Sequence, residues 1–140
     1  MCMISALLFI VHHHVMSFSE QATKHTFRLF PDGGAIDVRA LDEKDAATVA
    51  MIREHLQTIA KEFADGNFAK SEAVHERLPD GAATMKELRN DIKYDYSELP
   101  LGGSVRIKTA NPKALEAIHK FLRFQIREHK TGDPTEVQRD

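Results

Sequence analysis

Eight histidines, His12, His13, His14, His25, His55, His75, His119 and His129, are the residues of this 140-residue chain best suited to chemistry. Imidazole is the commonest protein metal ligand and the side chain most easily switched near neutral pH. Met16 and Met85 add soft thioether donors. Imidazole with thioether favours copper, and imidazole alone suits zinc, nickel or copper. The expected cargo is therefore a transition-metal ion, copper first. It would be held by His12, His13, His14, His25, His55 and His75 and stored, sensed or handed over without bond-making chemistry. No H-x-x-x-H helical pair, Cys/His zinc spacing or H-E-x-x-H motif is present, so this expectation rests on composition.

Other chemistries have less to stand on. Gly102-Gly103-Ser104-Val105 lacks the pattern of a nucleophile elbow. Gly33-Gly34 and Gly102-Gly103 read as turn residues with no phosphate-binding helix behind them. Cys2 is the sole cysteine, which excludes an internal disulfide, and a chain-terminal thiol is a poor scaffold for preorganised catalysis. A net charge of −2 with no basic block argues against nucleic acid as a partner. The apolar run "MISALLFIV" (3–11) is too short to span a bilayer and has the character of a secretory h-region, though no Lys or Arg precedes it.

The elements that must position the histidines follow from periodicity. "KHTFRLFPDGGAIDVRA" (24–40) alternates about Asp32-Gly33 and reads as a hairpin. That turn sets Leu29 opposite Ile36 and Phe27 opposite Val38. Val49, Ile52, Leu56, Ile59 and Phe63 form one helical stripe, with Asp42 as the expected N-cap and Gly66 as the stop. Residues 67–81 read as a loop with no more than a helical turn, and 82–90 as one short extra helix with Met85 and Leu88 facing inward. "IKYDYSELPLGGSVRIKTA" (92–110) is a second hairpin, with Ile92, Tyr94 and Tyr96 facing Thr109, Ile107 and Val105 across a longer loop. Asn111 and Pro112 open a last helix with the stripe Leu115, Ile118, Leu122 and Ile126.

"GGAIDVRALDEKDA" and "GGSVRIKTANPKAL" align residue for residue, and "IREH" occurs at 52–55 and again at 126–129. The expected fold is α+β: a duplicated ββα unit giving a four-stranded antiparallel sheet under two main helices. The body would span 23–134, after an apolar, His-rich arm (1–22) and before a polar tail (135–140).

Helical phase then assigns each histidine a setting. His55 and His119 fall at the border of their stripes, where a backbone carbonyl is the usual partner. His25 faces inward with Phe27 and Leu29. His129 lies in the last helical turn, where imidazole meets the helix dipole favourably. His55 stands about 19 Å along its helix at the ordinary rise, so His25 and His55 are expected at opposite ends of the sheet. Phe124 points away from the stripe and Phe121 flanks it, which suggests the second reading: an interaction module that dimerises or binds a partner through the last helix.

The segments "HTFRLFPDGGAIDV", "IREHL…IAKEFADGNF", "VHERLPDGAATMKEL", "GGSVRI" and "AIHKFLRFQIREHKTGDP" cover roughly residues 24 to 134. Across them the chain resembles a family of small, poorly characterised bacterial proteins, often exported, that can carry the label aspartate carbamoyltransferase. Such relatives have a His-rich segment before the first strand, matching His12 to His14. The resemblance implies export, a periplasmic setting and a metal role. The transferase label implies a Ser-Thr-Arg-Thr phosphate loop, which the chain lacks.

Overall fold

The computed structural model describes residues 20–75 and 77–139. The apolar run and His12, His13 and His14 lie outside the described residues.

A short 3-10 turn (Glu20–Ala22) leads into strand β1 (Thr23–Phe30), which pairs antiparallel with β2 (Gly33–Ala40). Helix α1 (Ala46–Ala64) follows, then two short helices, α2 (Ala69–His75) and α3 (Ala82–Glu87). After a 3-10 turn (Arg89–Asp91), β3 (Ile92–Leu99) and β4 (Gly102–Thr109) form the second hairpin, and α4 (Pro112–His129) closes the fold. The four strands make one antiparallel sheet in the order β1-β2-β4-β3. The fold is α+β, as expected, with two long helices and two short ones rather than one. Among the described residues no helix is long and apolar enough to cross a membrane.

The central strand pair shows how the two ββα units meet. Ile36 faces Val105 at its middle, and the flanking pairs Ala35–Arg106 and Asp37–Ser104 mirror one another across that point. Exchanging the units therefore maps the register onto itself. The helices obey the same exchange: Leu56 of α1 lies against Gly103, as Leu122 of α4 lies against Gly34. So do two long-range clamps. Arg53 of α1 donates from Nε to Gly102 O (2.9 Å) and from an η nitrogen to Leu99 O (2.8 Å), both flanking the β3–β4 turn. His119 of α4 places Nε2 at 2.8 Å from Phe30 O and 3.1 Å from Gly33 O, both flanking the β1–β2 turn. The repeated "IREH" has no part in this. Ile52 corresponds to Ile118, so the two tetrapeptides occupy different turns of their helices.

Several local details differ from the sequence expectation. The first hairpin turns at Pro31-Asp32, so Phe27 faces Ile36 and Leu29 faces Gly34, two residues from the expected register. Gly33 is already in the strand, with φ +151°, and a Cβ there would strike the Ile107 carbonyl of β4. Close approach of two strands, rather than turn geometry, requires that glycine. The shift is even, so the same side chains still face inward. The second hairpin has the expected register but only a two-residue turn, Pro100-Leu101. The N-cap of α1 is Asp45, whose carboxylate accepts from Thr48 N at 3.1 Å, and not Asp42. Asn111 caps α4 as expected.

The core lies between the helices and one sheet face, around Ile52, Met85, Val105, Ile118 and Leu122. Burial of that apolar surface is the main force holding the layers together. Phe121 and Phe124, expected at an exposed partner surface, are 1% and 0% exposed. The reason is the segment 67–87, read from sequence as a loop to residue 81 and a short helix after it, which covers the far side of α4. Gly81 packs on the Ala117 carbonyl, and the Arg77 guanidinium sits 4.4 Å from the Phe124 ring centre. On the opposite sheet face a polar network takes over. Asp37 accepts from Ser104 Oγ (2.6 Å) and pairs with Arg28 (2.9 Å), while Arg28 and Arg106 both lie against the Phe30 ring. The tail runs along the outer edge of β1: Gln138 N donates to Leu29 O and Phe27 N donates to Asp133 (2.9 Å). One sheet edge is thereby covered by the chain's own end.

Candidate functional site

A cavity of about 70 Å³ opens between the first hairpin and the two long helices. Phe27, Ile36 and Val38 form its floor, and Leu56, Ile59 and Phe121 belong to its walls. The alternation of β1 and β2 puts those floor residues on one face, and the stripes of α1 and α4 supply the walls. The mouth is polar. His25 from β1, His55 from α1, Lys70 and Ser71 from α2, and His129 from α4 are half-buried and line it, while Gln125 of α4 is a buried lining residue. An apolar cleft with a few convergent polar groups is the usual form of a small-ligand site.

The imidazoles are close to one another. The His25 and His129 rings stack at 4.9 Å between centres with planes 15° apart, and the Phe27 ring lies 5.5 Å from His129. Burial pushes the His55 imidazole down to about 4, and the nearby positive charges of Lys70 and His25 act in the same direction. His55 is therefore neutral at ordinary pH, able to donate from one ring nitrogen and accept at the other. Lys70 Nζ lies 3.2 Å from Glu62, and Gln125 Nε2 donates to Ser71 Oγ at 3.1 Å. That last bond leaves the Ser71 hydroxyl hydrogen to donate elsewhere.

His25 and His55 thus share a site, where the sequence places them at opposite ends of the sheet. The helix explains the difference. Val49 is only half-buried and Ile52 is the first fully buried residue of α1, so the opening turns project past the sheet. Arg53 reaches the β3–β4 turn, which lies at the same end of the sheet as His25. His55 arrives level with His25 after that overhang is spent. His75 is the last residue of α2, the helix that contributes Lys70 and Ser71. His119 is apart from this group, bound to backbone carbonyls as its border phase implied. Met85 is a fully buried core residue.

His129 belongs to the site and was read from sequence as a helix-terminal residue. Its position near the centre of the α4 stripe was the available signal. Lys70, Ser71 and Gln125 gave none, because the first two lie in a segment read as loop. Among the described residues no group of three or more His, Cys, Asp or Glu side chains is arranged to hold a metal ion. No protein-family model, curated protein or solved structure matches the chain.

Proposed function

We propose that this protein is a non-enzymatic binding protein whose small-molecule ligand occupies the cavity between the first hairpin and the helices α1 and α4. The observation that carries this reading is one apolar cleft with six polar side chains in its lining, drawn from four separate elements. The two ββα units also differ in a way that favours binding. In this reading they are duplicated copies, one of which kept its inter-helix space open while the other filled it. Titration of isotope-labelled protein with a library of small fragments tests the idea. Chemical-shift changes should cluster on the lining residues and vanish in His55→Phe, which fills the mouth. Changes scattered over the surface, or surviving that substitution, would count against it.

A transition metal, copper first, is the second reading. It is favoured by the three imidazoles of His25, His55 and His129 at one mouth and by the neutrality of His55, since a metal ligand must be unprotonated. The resemblance to exported bacterial proteins supports it further. The donor set proposed from sequence changes accordingly, with His129 joining His25 and His55, while His75 and His12 to His14 remain potential contributors. Anaerobic Cu(I) titration should then shift the ring resonances of His25, His55 and His129 together at one equivalent. Binding unaffected by His129→Ala together with His55→Ala would exclude this pocket as the metal site. The exported setting is a matter for N-terminal sequencing of protein taken from its native compartment.

A further inference from the structure

We infer that the ligand of this cavity is a short apolar carboxylic acid, bound with its tail in the cleft and its carboxylate among His25, His55, Lys70, Ser71 and His129. This inference rests on the binding reading above and names the ligand class for it.

Two properties of the cavity select this class. Its interior is small, about 70 Å³, room for a few waters and hence only a short tail. Floor and walls are mainly aliphatic and aromatic and offer an apolar tail dispersion contacts, while the buried Gln125 amide is bonded to Ser71. The mouth, in contrast, concentrates groups that donate hydrogen bonds or become cationic. The Lys70 ammonium is on one side and the Ser71 hydroxyl, oriented by Gln125, lies beside it on the same helix. Three imidazoles complete the ring.

Among the described residues, the titratable and charged groups facing this point come from each element around it: His25 on β1, His55 and Glu62 on α1, Lys70 on α2 and His129 on α4. Glu62 holds the Lys70 ammonium at 3.2 Å, so an arriving carboxylate would share that cation with it. The Ser71 hydroxyl, which accepts from Gln125, keeps its own hydrogen to donate to such a carboxylate.

Three isosteric probes separate the tail from the head: butyrate, butanol and butylamine, each titrated into the full chain. Binding is followed through the histidine ring-proton resonances as a function of pH. Butyrate should bind most tightly, butanol more weakly, and butylamine should fail. Lys70→Met should weaken butyrate by about fivefold, the usual weight of one partly exposed charge, and leave butanol unchanged. If butanol and butyrate bind equally, the carboxylate assignment is wrong while the binding cavity stands. Should butylamine bind best, the site prefers cations and the metal reading gains. If none of the three perturbs the lining residues, both the ligand class and the binding reading fall.

Discussion

The two sides of the helical layer are built on the same plan and filled differently. Under the exchange that maps β2 onto β4, His25 corresponds to Tyr94, His55 to Phe121, His129 to Phe63 and Gln125 to Ile59. The contact of His25 with His129 (4.9 Å) is thus repeated as Tyr94 with Phe63 (6.0 Å). On the second side the rings close up. Phe63 stacks on Phe68 at 4.5 Å, and both meet Phe121 edge-on, at 5.7 and 5.6 Å. Phe68 enters because the chain doubles back after α1, while the chain after α4 leaves for the edge of β1. One side therefore holds a dry aromatic cluster, and the other a cleft rimmed by imidazoles. The aromatic side has its own cost: the Tyr94 and Tyr96 hydroxyls are buried with no hydrogen-bond partner among the described residues, and burial pushes the Tyr94 phenol well up. The same scaffold thus takes aromatic filling on one side and leaves a cleft lined by polar groups on the other.

The most severe way to break this division is Phe121→Ala, because Phe121 both packs in the aromatic cluster and walls the cleft. A large-to-small change at such a site costs about 3–5 kcal/mol, so urea unfolding should show most of the domain's stability gone. Preserved stability would mean that the two sides are not joined through this ring.

A sharper test gives the histidine side the residue of the aromatic side, as His55→Phe. In the folded chain His55 titrates near 4, below its unfolded value of 6.5. The unfolded state therefore binds more protons between those values, and stability is complete above about pH 6.5 and falls as pH drops towards 4. At about 1.4 kcal/mol per pKa unit, the loss is on the order of 3 kcal/mol. Urea midpoints at several pH values should flatten across this window in His55→Phe. An unchanged slope would show that the desolvated imidazole is not what couples stability to acid.

The paired clamps provide the next comparison. Arg53→Ala removes charged hydrogen bonds to two carbonyls and should cost about 1.5–3 kcal/mol, while His119→Ala should cost roughly 1 kcal/mol. Thermal unfolding should rank them in that order. A reversed ranking would mean that the first hairpin depends on its clamp more than the second. The smallest effect belongs to Asp133→Ala, which uncaps Phe27 N at the β1 edge beneath the cleft. A loss of about 1 kcal/mol is expected, with faster amide exchange at Phe27 as the specific readout.

Much of the architecture was legible in the chain. The inward face of each strand, the pairing of the second hairpin, the Asn111 cap and the stripe of α1 all follow from local periodicity and local hydrogen bonding. The first hairpin was misread by two residues because Asp32-Gly33 has the composition of a turn, while the glycine is needed for contact with β4. The α2 segment reads as loop because a helix of seven residues carries little periodic signal, whereas the short helix α3 is legible within 82–90. The loop reading hid Lys70 and Ser71, and it left Phe124 looking exposed.

By itself, then, the sequence determined which face each residue occupies, because side-chain direction repeats with the local backbone. It also determined that two ββα units would need each other, since neither hairpin nor helix can bury its apolar face alone. Only the tertiary structure decided that His25, His55 and His129 meet. Their meeting depends on how far α1 overhangs the sheet, on α4 running back across it, and on a short helix closing the mouth. Those are distances between elements, set by the packing of whole layers, and no local pattern of residues encodes them.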